Sequence, residues 1–156
     1  MIRLSKLADY GIVIMIRMAR APERVFTAPE MAGQTGIPQP MVSKILKALA
    51  KQGLVRSHRG ARGGYGLGHD ARALSVADVI VALEGPIAMT ACVEDGANDC
   101  EIASLCHARG NWQRINDAIK GALSGIKLAE MAQPLAGGDG LHQPRPALQG
   151  RLQPVE

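Results

Sequence analysis

The feature that most constrains the fold is a pair of short amphipathic helices joined by a glycine turn. A capping box formed by Thr27 and Glu30 predicts a short helix that continues to about Gln34. Beyond a Gly-Ile-Pro turn, apolar residues at helical spacing predict a second helix over Pro40–Gln52, which Gly53 ends. Two short helices joined in this way are typical of a helix-turn-helix motif.

The helix pair is followed by a glycine-rich hairpin that carries arginines. Residues of β type at Leu54–His58 and Tyr65–Leu67 flank the segment 59–64, which contains two arginines and three glycines. Short β runs joined by such a loop predict an antiparallel hairpin with a flexible tip. We therefore expect a mainly α-helical fold with a small β-hairpin, that is, a winged helix-turn-helix.

Further helices precede and follow this unit. Helical spacing predicts a first helix over Met1–Ala21 and another over Ser75–Glu84, which opens with a capping pattern. A longer helix is predicted over Trp112–Ile126, followed by a short turn at Lys127–Met131. The chain thus divides into a winged helix-turn-helix domain over 1–85, a cysteine-bearing loop over 86–110, a long helix over 111–135, and a tail over 136–156. The tail lacks periodicity, which predicts disorder.

Charge is distributed unevenly along the chain. The net charge is +4, yet residues 1–72 carry 12 Lys and Arg against 4 Asp and Glu, whereas residues 73–136 carry 4 against 8. A basic front half favours a polyanionic partner. No apolar run approaches the ~20 residues of a membrane span, and no signal-peptide pattern precedes the first helix. We therefore expect a cytoplasmic protein without membrane contact.

A DNA-binding surface is predicted on the second helix of the pair and on the hairpin. Recognition helices insert their N-terminal ends into the major groove, and arginines beside glycines suit a wing against the minor groove. The predicted contacts are Thr27, Gln39, Pro40, Ser43, Lys44, Lys47, Arg56, Arg59, Arg62, Gly63, Gly64 and Tyr65. Neutralising several phosphates would make binding strongly salt-dependent. The alternative interpretation is a solvated lysine face on a helix that binds no DNA.

Three cysteines, Cys92, Cys100 and Cys106, fall within fifteen residues of one another, and His107 follows directly. An odd count without a secretion signal favours metal binding or redox chemistry over a disulfide framework. Thiolates suit iron–sulfur clusters, zinc and Cu(I). The paired knuckles of structural zinc sites are absent from the sequence, which counts against zinc. Three thiols without a ligand role are the remaining alternative.

Several motifs resemble those of the Rrf family of winged-helix regulators. They are the opening Leu4–Tyr10, the string Ile37–Leu46, the turn Gly53–Ser57 and the wing Arg59–Leu67. The chain resembles in particular the IscR-like regulators of iron–sulfur cluster biogenesis that govern the SUF assembly system, over about residues 1–135. The resemblance implies a homodimer in which the helix beginning near Trp112 crosses its partner, and a 2Fe-2S cluster held by the three cysteines.

The resemblance leaves the fourth cluster ligand open. In IscR-like proteins a histidine is expected three residues after the third cysteine, where this chain has Arg109. His107 is one candidate, although it is adjacent to Cys106. Asp9 is the other, as a carboxylate from the first helix of the opposite subunit. A ligand other than thiolate would change how tightly the centre is held, or its potential.

These features together predict a DNA-binding transcriptional regulator that senses an iron–sulfur cluster. The cluster would order residues 86–109 and change the spacing of the two recognition helices. One alternative is a regulator of the same fold that senses nitric oxide or a thiol metabolite. Another is a redox or cluster-carrier protein that docks an acidic partner. An enzyme is not expected, because the sequence contains none of the phosphate-loop, Gly-x-Ser-x-Gly or His-Glu-x-x-His motifs.

Overall fold

Helices and one hairpin follow each other in the predicted order. The computed structural model describes residues 3–61, 63–93, 100 and 105–133. Within these residues the elements are α1 (Lys6–Ala19), α2 (Ala28–Thr35), α3 (Gln39–Lys51), β1 (Val55–His58), β2 (Gly64–Leu67), α4 (Val76–Glu84), a 3-10 turn (Ala91–Val93), α5 (Arg109–Gly125) and α6 (Leu128–Ala132). This order confirms the mainly helical, winged helix-turn-helix prediction.

The first helix begins later than predicted. Spacing suggested a start at Met1, which lies outside the described residues, but residues 3–5 are not helical and α1 begins at Lys6. Ser5 sets this start, because its Oγ accepts hydrogen bonds from the N–H groups of Leu7 and Ala8 at 3.1 and 3.3 Å. A side-chain acceptor at this position satisfies donors that the first helical turn leaves without partners.

Of the two predicted helix-opening patterns, one forms completely and one only in part. Thr27 is the N-cap of α2, and its Oγ1 accepts from the Glu30 N–H at 3.3 Å. The reciprocal half of this predicted capping box was wrong, since the Glu30 carboxylate pairs with Arg24 instead. At α4 the box is complete: the Ser75 hydroxyl accepts from the Asp78 N–H, and the Asp78 carboxylate accepts from the Ser75 N–H.

An isolated β-bridge joins the hairpin to the segment that precedes α2. β1 and β2 pair antiparallel, with His58 opposite Gly64. Phe26, which precedes α2, exchanges both backbone hydrogen bonds with Tyr65 at 2.9 and 2.8 Å. A Cβ on Gly64 would lie 2.5 Å from the Phe26 carbonyl oxygen, so this close approach requires glycine.

The main core lies among the helices of the N-terminal unit and includes a residue from α6. Its fully buried members include Ile14, Met15, Met18, Phe26, Met31, Ile45, Leu46, Leu49 and Leu128. Two backbone hydrogen bonds hold the start of α6 beside the start of α4: Leu128 N–H to the Leu74 carbonyl and Val76 N–H to the Ile126 carbonyl, each 3.0 Å. Residues near position 128 therefore belong to the same packed unit as the helix-turn-helix.

The long helix α5 begins at Arg109, three residues before the predicted start at Trp112. Several of its apolar side chains are partly exposed: Trp112 is 36% exposed and Ile115 is 44% exposed. Ile126, the residue just after the helix, is also 44% exposed. In the described ranges, no helix is both long and apolar enough to cross a membrane. The tail predicted over 136–156 lies outside the described residues.

Candidate nucleic-acid interface and cysteine segment

The helix α3 has one face in the core and one in solvent. Its buried face consists of Val42, Ile45, Leu46 and Leu49. Among the predicted DNA contacts on the other face, Gln39, Pro40, Lys44 and Lys47 are exposed and Ser43 is half-buried. Since burial of the apolar face fixes the rotation of an amphipathic helix, these polar side chains point away from the core.

All residues of α3 are described, and no side chain caps its N-terminal end. Its N-cap residue is Pro38, whose carbonyl oxygen accepts from the Met41 and Val42 N–H groups at 2.9 and 3.1 Å. The positive end of the helix dipole is therefore not compensated by an acidic or hydroxyl side chain. Such an end attracts anions, including phosphates.

The hairpin presents arginines along its outer strand and at its tip. Arg56 on β1 and Arg59 just beyond it are exposed. The tip turns through Gly60, whose φ of +108° favours glycine, and closes with a hydrogen bond from Gly63 N–H to the Gly60 carbonyl at 2.9 Å. Arg62, another predicted contact, lies outside the described residues.

Three predicted contacts, Thr27, Gly64 and Tyr65, lie where the hairpin meets α2. Thr27 is exposed, whereas Gly64 and Tyr65 are half-buried against Phe26. The guanidinium groups of Arg17 and Arg24 lie 5.3 and 5.0 Å from the centroid of the buried Phe26 ring. Sequence reasoning missed this junction, although Phe26 is the one phenylalanine of the chain.

Four cations of the predicted surface have no ionic partner in the described part of the chain. They are Lys44, Lys47, Arg56 and Arg59, all exposed. Exposed cations without anionic partners create a positive potential that is available to a polyanion. The arrangement can therefore bind phosphates on two elements that follow each other in the chain.

Another exposed cation, Arg72, is already matched by an anion. Its guanidinium lies 2.7 Å from the Asp70 carboxylate. Hydrogen bonds from the Arg72 side chain and backbone N–H lower the pKa of Asp70 to about 2. Asp70 therefore stays charged at neutral pH, and the pair contributes no net charge to the surface.

The three cysteines are all free thiols, and each is half-buried. The Cys92 sulfur lies 3.2 Å from the Thr90 hydroxyl oxygen, within reach of a hydrogen bond. The Cys106 carbonyl accepts the N–H of Arg109 at 3.4 Å, so Cys106 directly precedes the first turn of α5. Much of the segment between these cysteines, 94–99 and 101–104, lies outside the described residues.

The donor set fits a thiolate-bound centre by its chemistry. The three cysteines are free and half-buried, and thiolates are ligands that suit iron–sulfur clusters. Both candidates for a fourth ligand, Asp9 and His107, are exposed. Within the described residues, however, no three side chains of the Cys, His, Asp or Glu type come together as a metal site.

Comparison with known proteins identifies the family. The sequence model of the Rrf2 family, described as an iron-dependent transcriptional regulator, matches residues 4–134. The chain belongs to the Rrf2 family. As an Rrf2 protein it is a DNA-binding transcriptional regulator and not an enzyme, which confirms those two predictions.

Rrf2 relatives match most of the chain. The regulator IscR of Photorhabdus laumondii is 32% identical over 130 residues, which cover 83% of this chain and 78% of the relative. CymR of Bacillus subtilis is 34% identical over 131 residues, covering 83% and 89%. The solved structure of the latter, called the global cysteine regulator, gives a TM-score of 0.67 over 85% of this chain and 97% of that chain. The T. potens IscR structure gives 0.65 at 27% identity, over 83% and 85%.

Proposed function

We propose that this Rrf2 protein is a homodimeric regulator that grips duplex DNA with α3 and the hairpin and senses iron–sulfur status through Cys92, Cys100 and Cys106. The observation that carries the DNA-binding part is the exposed polar face at the N-terminal half of α3, where Lys44 and Lys47 have no ionic partner among the described residues. A reading helix inserts this end into the major groove. Arg56 and Arg59 on the hairpin would contact the phosphates beside it.

Dimerisation is proposed through α5. Trp112, Ile115 and Ile126 are exposed apolar side chains on or just after α5, while Leu123 packs against the core cluster of α1 and α4. Exposed apolar side chains of this size favour burial against another surface. A second copy of α5 would cover them, and a twofold dimer would place two copies of α3 on successive turns of the duplex.

Sensing is proposed to reside in the three free thiols. Their thiolates would hold a 2Fe-2S cluster, which when bound supplies a centre whose gain or loss follows iron and oxidative status. Cys92 is in the 3-10 turn beside α5, and Cys106 directly precedes α5. A change in how these thiols are held would therefore act on the helix that joins the two subunits. His107 and Asp9 remain the two candidates for the fourth ligand.

The metal proposal is tested by purifying the chain without oxygen and recording visible absorption, iron and sulfide content. We expect a coloured protein that loses its cluster when Cys92, Cys100 or Cys106 is replaced by Ala. Comparing His107→Ala with Asp9→Asn decides between the two remaining ligands. A colourless protein with stoichiometric zinc would eliminate the cluster proposal while leaving DNA binding intact.

The DNA proposal is tested by mobility shifts with duplexes from the promoter region of the gene, with and without cluster. A regulator prefers one sequence over others, and its affinity differs between the two forms. A carrier protein that docks an acidic partner would show no sequence preference. Failure of the dimer to bind any duplex at low ionic strength would refute the proposed function.

A thiol-sensing regulator of the same fold is the second candidate. It is favoured by the similarity to CymR, described as a global cysteine regulator, and by the existence of an oxidised form of Staphylococcus aureus CymR. In that case the thiols of this chain would respond without metal. DNA binding that changes with thiol oxidation in metal-free protein would favour this candidate over the cluster.

A further inference from the structure

Asn116 is the single buried residue of α5, a helix that the structure describes in full. Its side chain is 0% exposed, whereas Asn111, Trp112 and Ile115 on the same helix are exposed. A buried amide without partners is costly, so its surroundings must supply both a donor and an acceptor.

Those partners come from the backbone that leads to the first cysteine. The Met89 N–H donates to Asn116 Oδ1 at 3.1 Å, and Asn116 Nδ2 donates to the Ile87 carbonyl oxygen at 3.2 Å. The reverse orientation of the amide would set donor against donor and acceptor against acceptor, so this pair of bonds fixes the side chain. One asparagine thus holds residues 87–89 on α5, in the way that a neighbouring strand would.

The held backbone continues directly into the turn that contains Cys92. The Val93 N–H donates to the Thr90 carbonyl at 3.1 Å and closes this turn. Val93 is only 4% exposed, and the Thr90 hydroxyl oxygen is 3.2 Å from the Cys92 sulfur. The thiol therefore lies between two anchors, the Asn116 amide before the turn and the buried Val93 within it.

The far end of α5 is also fixed. Ser75 and Lys127 form an isolated antiparallel bridge, which ties the chain just after α5 to the start of α4. Displacement of α5 near Asn116 cannot be absorbed by free movement at this end. With both ends of α5 held, we expect a change at Cys92 to act on the helix as a whole.

We infer that Asn116 is a positioning residue, which places the Cys92 thiol and makes it move together with α5. The inference rests on the proposed function, in which Cys92 senses and α5 joins the subunits. Asn116 acts through two hydrogen bonds to the backbone.

The test uses full-length, metal-free protein and the variant Asn116→Asp. At about pH 8 the carboxylate can accept from Met89 but cannot donate to Ile87, so we expect Met89 amide protection to fall by about tenfold, the effect of losing one buried hydrogen bond. At about pH 5 a protonated carboxyl can donate again, since burial beside a carbonyl raises the pKa of such a group. Protection relative to wild type should then recover. Because burial penalises any ionised carboxylate, the neutral Asn116→Ser variant and the reactivity of Cys92 are needed to separate positioning from space filling.

A matched control and a neutral variant keep the result interpretable. Asn111→Asp makes the same chemical change at an exposed position of the same helix and should leave Met89 protection unchanged. Asn116→Ser adds no charge and should lower Met89 amide protection at both pH values. This variant tests the inference if Asn116→Asp does not fold. Wild-type protection in Asn116→Ser at both pH values would overturn the inference.

The link to the thiol is measured separately. Alkylation of Cys92, followed by peptide mass spectrometry with Cys106 as internal reference, should be about tenfold faster in Asn116→Ser, in proportion to the loss of protection. An unchanged Cys92 rate despite lost Met89 protection would refute the positioning role. Because these measurements need no metal, they hold even if the chain takes up no cluster. Conversely, if a cluster forms but is lost from Asn116→Ser as slowly as from wild type, the inference fails while the proposed function stands.

Discussion

Replacing Lys47 by Ala should reduce the salt dependence of DNA binding by a calculable amount. Lys47 is exposed on α3 and has no ionic partner in the described part of the chain, and Ala retains the helix. Each phosphate contact contributes about 0.9 to the slope of log K against log salt concentration. In a homodimer one substitution removes two contacts, so we expect the slope to become shallower by about 1.8.

The total salt dependence of wild type can be estimated from the number of exposed cations on the predicted DNA surface. In the proposed homodimer, the exposed cations Lys44, Lys47, Arg56 and Arg59 would make eight contacts, which corresponds to a wild-type slope of about −7 if every one meets a phosphate. Between about 50 and 200 mM salt, the affinity advantage of wild type over Lys47→Ala should therefore shrink by roughly tenfold.

The measurement is fluorescence anisotropy with a labelled duplex of about 25 base pairs, long enough for two half-sites one turn apart. Arg72→Ala is the control, because it changes the net charge equally but removes a cation that Asp70 already matches. Equal slopes for wild type and Lys47→Ala would show that Lys47 faces no phosphate. A shift of equal size in Arg72→Ala would attribute the effect to overall charge and refute the assigned surface.

Two further predictions concern folding and ionisation. Gly64→Ala should destabilise the fold by about 1–3 kcal/mol, because its Cβ would overlap the Phe26 carbonyl, whereas Gly33→Ala in α2, with open space around it, should stabilise by up to about 1 kcal/mol. Urea denaturation measures both; equal midpoints would contradict the close approach at the hairpin. Removing Arg72 should raise the pKa of Asp70 from about 2 towards 3.8, as followed by carboxyl NMR, and a midpoint that stays near 2 would exclude Arg72 as the cause. A lowered carboxyl pKa stabilises the fold at pH values above 3.8, and this contribution is lost only as the pH falls towards 2. The unfolding free energies of wild type and of the variant without Arg72 should therefore vary in parallel from about pH 5 to 8.

The sequence predicted the elements that rest on local signals. The hydroxyl of Ser75 and the positive φ of Gly53 mark helix ends by short-range chemistry, and the structure has both. The start of α1 was placed too early because apolar spacing was followed past Ser5, a capping residue. The start of α5 was placed too late because Gly110 and Asn111 are weak helix formers and no side chain caps that helix.

The parts that could not be predicted depend on contacts between distant segments. An asparagine within a helical pattern is normally expected to face solvent, yet Asn116 is buried by the backbone of residues 87–89. The bridge between Phe26 and Tyr65 involves one residue on each side, too short for any periodicity. Charge and spacing were enough to predict the DNA contacts, but they gave no signal for the junction between Phe26 and Tyr65.

The position of Leu128 in the main core ties the end of the chain's described part to the N-terminal unit. Because this residue packs with the same cluster as Phe26 and Leu46, the stretch 86–127 is an insertion whose two ends are both anchored in the DNA-binding unit. A ligand that binds this stretch only in the folded protein stabilises the whole unit, and so raises the temperature at which the unit melts. A protease that cut after residue 85 would remove part of the core as well. The helix-turn-helix unit and the stretch 86–127 are therefore expected to unfold together.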